Sequence, residues 1–143
     1  MEFFYDIPVK LDEGARLPSR AHPDDAGLDL YSREDMMIPA HGAAVFDTGV
    51  HMAIPHGYDG KITSKSGLCV RNDVVSEAGE IDSNYRGSIR VKLRNHGDKP
   101  YMVHVGDKIA QIVIRPVSLA VCREVDVLDD SDRGSGGFGS TGR

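Results

Sequence analysis

The chain has 143 residues, 40% of them hydrophobic, with 16 glycines, seven prolines and a formal net charge of −5. That length suits one domain with a genuine core, and the frequent Gly and Pro argue against a fold of long helices. The acidic balance disfavours a domain that grips a nucleic-acid backbone through a basic face, but it remains compatible with a small anionic ligand if a few cations converge on one site.

The N-terminus, MEFFYDIPVK, lacks the basic start and long apolar core of a secretory signal, and no apolar run reaches the length of a membrane span. The expectation is a soluble, cytoplasmic protein. Cys69 and Cys122 are too few for a disulfide scaffold and are expected to be reduced and part-buried. The six histidines have no zincin-type spacing, so a catalytic metal held by them is not expected.

In chain order, Ile7, Val9 and Leu11 alternate within residues 3–11, and Pro8 marks that first strand as an edge. Residues 17–25 are polar and proline-marked, hence a loop. A short strand follows at 26–32, with Leu28 and Leu30 facing one way and Asp29 the other. An Asp between core-facing leucines is either solvated at a sheet edge or held by a partner. After the turn at 40–42, residues 44–50, 51–55 and 58–64 read as short strands separated by Gly, Pro and His turns, a spacing that indicates an all-β barrel or sandwich.

Residues 64–71 break that pattern and suit one or two helical turns, with Ser64 or Ser66 capping free backbone N–H groups. A helix start beside a lysine and a serine can serve a phosphate. Glycines at 79 and 87 flank Ser83 and Asn84, a pattern that predicts a tight β-hairpin with Asn84 in the left-handed conformation. Near its tip it carries one carboxylate, Asp82, and one ring, Tyr85. Residues 89–93 then alternate as a half-buried strand, 94–100 form a turn, and 101–105, 108–115 and 117–127 are further strands, with Gln111 a polar interruption. From 131 onward glycine dominates around one apolar residue, Phe138. Such a segment cannot bury enough surface to offset its ordering entropy unaided. It is either a floppy tail or a lid, and the lid has chemistry to offer: glycines wrap phosphates closely, Arg133 brings charge, Ser140 and Thr141 bring hydroxyls, and Phe138 offers a face to a base.

Read together, AGLDLYS at 26–32, SKSGL at 64–68, AGEIDSNYRG at 78–87, GDKIAQIVI at 106–114 and RGSGGFGSTG at 133–142 resemble the five motifs of the homotrimeric dUTP pyrophosphatases (dUTPases), in the family's order and spacing. The resemblance implies an all-β, jelly-roll-like subunit over residues 1–130 and a flexible glycine-rich arm over 131–143 that closes an active site shared between subunits of a homotrimer. It implies hydrolysis of dUTP to dUMP and pyrophosphate with Mg2+ on the triphosphate, which limits uracil incorporation into DNA and supplies dUMP for thymidylate synthesis. Neither a membrane nor stable nucleic-acid binding is expected.

Carried over by position, the resemblance makes Asp82 the carboxylate that positions and activates water, and Tyr85 the ring against the deoxyribose. The backbone of Gly79 and Ile81 reads uracil. Lys65, Ser66, Gly67 and Gln111 face phosphates, as do Arg133, Gly139, Ser140 and Thr141 of the arm. Phe138 stacks over uracil, and Asp29 is linked to the metal through water. Two positions depart from the pattern. Lys65 stands where the family usually has Arg, keeping the charge but losing the planar fork of donors. Ser76 stands near where some members have an Asn. The related dCTP deaminases share the fold but rely on a Glu in the strand after the hairpin, and residues 89–93 contain none.

Overall fold

The structure is a computed structural model, and it describes residues 6–77 and 79–142. Eleven strands and one short helix appear among them. The strands are β1 (Val9–Leu11), β2 (Leu28–Tyr31), β3 (Met36–Ile38), β4 (Ala43–Asp47), β5 (Val50–Met52), β6 (Tyr58–Thr63), β7 (Val74–Glu77), β8 (Glu80–Ile81), β9 (Arg90–Asn95), β10 (Tyr101–Val103) and β11 (Lys108–Pro116); the helix α1 (Ser66–Asn72) lies between β6 and β7. Among the described residues no helix is long and apolar enough to cross a membrane.

The pairings are all antiparallel and mostly between strands distant in sequence. The larger sheet runs β2-β11-β6-β8, the second β4-β9-β7, and two pairs, β1-β5 and β3-β10, complete the shell. Side chains alternate as the sequence predicts. In β9 and the residue before it, Ile89, Val91 and Leu93 are buried while Arg90 and Lys92 are exposed. With Phe46, Leu30, Ile38 and Ile112 they fill one core between the sheets. This is a jelly-roll-like all-β fold. The edge position expected from Pro8 holds, since β1 pairs with β5 and with no other strand among the described residues. The rest of that predicted strand, residues 3–5, lies outside the described residues.

Several local expectations are corrected. The segment 44–50 is two strands, because Gly49 takes a positive φ of 69° and turns the chain between β4 and β5. The helix start is capped at Lys65 with no side-chain hydrogen bond, since Ser64 Oγ instead accepts the Ser76 N–H at 2.9 Å and ties α1 to β7. The central motif is not a self-paired hairpin. β8 pairs with β6, and β9 pairs with β4 and β7, so β8 and the turn after it form a long excursion between β7 and β9. The described non-glycine residues with positive φ are His41 and Asp73, so Asn84 is not left-handed.

Residues 117–127 form no strand either. Val117 N–H donates to the Gly57 carbonyl at 2.9 Å, and beyond it Leu119, Val121 and Val127 are exposed. The valine-rich alternation is there, but a strand needs a neighbour, and none pairs with it among the described residues. Cys122, on this segment, is exposed rather than part-buried; Cys69 is half-buried as expected.

Candidate active site

β8 has only two residues, yet its position is fixed from three sides. Ile62 N–H donates to the Gly79 carbonyl at 2.8 Å. Gly79 itself has a φ of 123°, and a Cβ there would lie 2.7 Å from the Ile62 Cβ, so both conformation and closeness require glycine. The Glu80 side chain is gripped by Lys61 Nζ at 2.9 Å and by Arg115 Nη2 at 3.0 Å. Arg115 is in turn bidentate on the buried Asp59, at 2.9 and 3.0 Å.

From this braced strand the chain turns through residues 82–85, closed by the Tyr85 N–H on the Asp82 carbonyl at 3.1 Å. Tyr85 donates its hydroxyl to the Ser88 carbonyl at 2.8 Å, folding the ring back over Gly87, where a Cβ would meet the Tyr85 oxygen at 2.4 Å. The result is a pocket of about 220 Å³ lined by Gly79, Glu80, Ile81, Asp82, Tyr85 and Arg90. The Asp82 carboxylate is exposed, and it carries no hydrogen bond or ion pair among the described residues. An uncommitted carboxylate at the mouth of a small pocket is placed to accept a proton or orient a water.

A second cluster sits on the larger sheet. The register puts Asp29 of β2, Gln111 of β11 and Thr63 of β6 side by side in one row. Asp29 is 3% exposed and is held by Lys65 Nζ at 2.5 Å and Lys108 Nζ at 3.2 Å. Burial pushes the Asp29 carboxyl up, but hydrogen bonds and charge from the two lysines outweigh it and hold it below the usual carboxylate range. Of the two readings open for Asp29, the partnered one is therefore the structure's. Ser66 and Gly67 open α1 beside this cluster, both exposed.

Lys108 escaped the sequence reading. Strict alternation puts it and Gln111 on opposite faces, but a bulge between Lys108 and Ala110 shifts the register so that Lys108 lies opposite Tyr31 and Gln111 opposite Asp29. Tyr31 and Asp29 share a face of β2, so both β11 side chains are delivered to one side. Arg90 was missed as well; its place on the solvent face of an ordinary alternating strand gives no sign that the face lines a pocket.

The arm stands apart from both clusters. Phe138 is fully exposed, Gly139, Ser140 and Thr141 are exposed, and Arg133 Nε donates to the carbonyl of Gly136 at 2.7 Å within its own arm. Thus Gly79, Ile81, Asp82 and Tyr85 come together in one pocket, and Asp29, Lys65 and Gln111 in one cluster. Among the described residues, none of Asp29, Lys65, Ser66, Gly67, Gln111 or the arm lines the pocket. No group of three or more His, Cys, Asp or Glu side chains among the described residues is arranged to hold a metal ion.

Comparison with known proteins agrees with this layout. A family model for dUTPase matches residues 13–142. The chain is 44% identical to the deoxyuridine 5'-triphosphate nucleotidohydrolase of Clostridium tetani over 142 residues, covering 97% of this chain and 98% of that protein. It is also 44% identical over 133 residues to the mitochondrial enzyme of that name from Dictyostelium discoideum, covering 93% and 74%. Among solved structures, the dUTPase of Staphylococcus bacteriophage 80alpha with dUpNHpp superposes with a TM-score of 0.91 at 31% identity, covering 98% of this chain and all of that one. The braced strand, the pocket beside it and the matched motifs thus lead to one conclusion: the chain belongs to the dUTPase family.

Proposed function

We propose that Asp82 orients and deprotonates the water with which this dUTPase hydrolyses dUTP to dUMP and pyrophosphate. The observation that carries this reading is the uncommitted Asp82 carboxylate beside the displayed backbone of Gly79 to Ile81 and the ring of Tyr85 in one pocket. The backbone edge suits a uracil ring, and the tyrosine closes on the deoxyribose. Water oxygen bonds to the α-phosphorus as the bond to the bridging oxygen breaks. Pyrophosphate leaves with that electron pair, and the water proton passes to the Asp82 carboxylate. No covalent intermediate is needed.

Charge neutralisation carries much of such a reaction. Lys65, Ser66 and Gly67 at the start of α1, with Gln111 next in register to Asp29, are read as phosphate contacts. The arm supplies Arg133, Gly139, Ser140 and Thr141 to the outer phosphates, and Phe138 stacks over uracil. The donor set fits a Mg2+ ion that arrives on the triphosphate, because the one buried carboxylate of the cluster has both oxygens on lysines and can reach an ion only through water. Mg2+ so bound supplies charge screening at the phosphates. A cytoplasmic location, without membrane attachment or stable nucleic-acid binding, belongs to the same reading and accords with the net charge of −5. Pyrophosphate release from dUTP, dTTP, dCTP and UTP tests it: turnover is expected with dUTP and only traces with the others, and equal release from dCTP or UTP would reject it.

The same reading makes the active enzyme a homotrimer. Two observations support it: among the described residues the pocket, the Asp29 cluster and the arm do not meet within one chain, and Leu119, Val121, Val127 and Leu128 are left exposed. Light scattering is expected to report about three times the 15.6 kDa chain mass; a fully active monomer would sink the assignment.

A further inference from the structure

His51 lies on β5, in register opposite Lys10 of β1, and its ring is engaged on both sides. Nδ1 is 2.6 Å from the Arg86 carbonyl oxygen, and Nε2 is 2.9 Å from Asp12 Oδ2. A carbonyl and a carboxylate both accept hydrogen bonds. A neutral imidazole has one N–H and one lone pair, so it would turn the lone pair toward one of these oxygens. The imidazolium, donating from both nitrogens, satisfies both.

Arg86 belongs to the tip at residues 82–87, which is shaped largely by bonds within itself. Tyr85 N–H reaches the Asp82 carbonyl, Arg86 Nη1 donates to the carbonyls of Ser83 at 2.7 Å and Tyr85 at 3.2 Å, and the Tyr85 hydroxyl reaches the Ser88 carbonyl. Bonds of this kind give the tip a form but do not fix it on the barrel. His51 reaches it from β5, and Asp12, just beyond β1, holds the ring in turn.

We propose that His51 is a positioning residue for dUTP hydrolysis: as an imidazolium bridging Asp12 and the Arg86 carbonyl, it fixes the tip that presents Asp82 and Tyr85, and it loosens the tip when the ring loses its proton and with it one of the two bonds. The inference rests on the reading of that tip as the nucleotide-binding element. The charged groups around the ring are few. Asp12 favours the cation and Lys10 opposes it from β1. Arg33 lies near Asp12, donating to the Glu13 carbonyl at 3.0 Å and pairing with Asp47 at 3.3 Å, while the Arg86 guanidinium is turned away to the tip carbonyls. The bond to the Arg86 carbonyl, followed by that to Asp12, raises the His51 pKa above the ordinary 6.5, against partial burial and Lys10. A raised value means that the clamp is complete below pH 6.5 and is lost as pH rises through the folded-state value.

The test follows kcat and KM for dUTP between about pH 6 and about pH 9 in the wild type, His51→Gln and Asp12→Asn, with imidazole ¹⁵N NMR on the same proteins. His51→Gln keeps one amide donor but cannot titrate. It is expected to lower kcat about tenfold at neutral pH with a smaller change in KM, and to lose the alkaline limb of the wild-type profile. Asp12→Asn keeps the ring but weakens its proton affinity, so the limb moves to lower pH. In the wild type the ring should hold both N–H protons below pH 6.5. A limb unchanged in both variants, or a neutral ring in that range, overturns the inference. A purely structural His51 would alter melting temperature without reshaping the profile, which also overturns it. Should His51→Gln fail to fold, Asp12→Asn and the ring signals decide. If titration of His51 shifts the tip's amide signals while Asp82→Asn remains fully active, the reading of the tip has failed, and the positioning role falls with it.

Discussion

Asp82→Asn is expected to lower kcat for dUTP by roughly 10²–10⁴-fold, the usual worth of a positioned general base. The substitution keeps the size of the side chain and much of its hydrogen-bonding capacity, but removes the charge and the ability to take a proton. Little else should change in the fold, because the carboxylate is exposed and makes no hydrogen bond or ion pair among the described residues. Circular dichroism and melting temperature should therefore match the wild type. Affinity for dUTP should hold or even tighten, since a negative charge near a triphosphate has been removed while the backbone of β8, Tyr85 and the lysine cluster remain. Comparing kcat with the Kd of a non-hydrolysable dUTP analogue separates the outcomes. Wild-type turnover in a folded Asp82→Asn protein would refute the assignment of the base, and a loss confined to Kd would make Asp82 a binding residue.

That such a residue can be singled out from the chain at all depends on what kind of information each element carries. Strand alternation is local, so the buried face of β9 was legible: Ile89, Val91 and Leu93 lie inside as their spacing predicts. Partners are not local. The alternation that marks β8 and β9 as strands says nothing of their pairing with β6 and with β4 and β7, which is why the central motif reads as a hairpin and is instead a braced excursion. Residues 117–127 illustrate the same gap from the other side, with a strand pattern that pairs with no strand among the described residues. The bulge beside Lys108 defeats a period-2 reading, and it alone brings a second lysine to Asp29. That Asp82 and Tyr85 lie close together was legible because they sit in one motif; the contacts of His51 were not, because they come from a β5 register that sets it beside Asp12 and Arg86, residues 39 and 35 positions away.

Ending the chain after Asp132 is expected to leave the body folded and to lower kcat/KM for dUTP by about 10²–10⁴-fold. The first half follows from packing. No described residue beyond 132 belongs to the core, Phe138 is fully exposed, and the Arg133 side chain bonds to carbonyls of its own arm. Melting temperature should not move. Because segment 117–128 is retained, the assembly seen by light scattering should not change either, which separates loss of the arm from loss of the oligomer. The second half follows from what the arm brings to a bound nucleotide. Stacking of an aromatic ring on a base contributes about 1–3 kcal/mol, and a hydrogen bond to a charged group about 1.5–3 kcal/mol, so Phe138 and Arg133 together account for a loss of this size. Part of the gain would be offset by ordering a glycine-rich segment, so an arm of this composition is expected to rest open and to close on ligand. Phe138→Ala, which removes the stack but leaves Arg133 and the hydroxyls of Ser140 and Thr141, should fall between the two, at about 10–100-fold. Equal kcat/KM with and without residues 133–143 would reject the arm as a lid, and a drop in melting temperature on truncation would show that it supports the body instead.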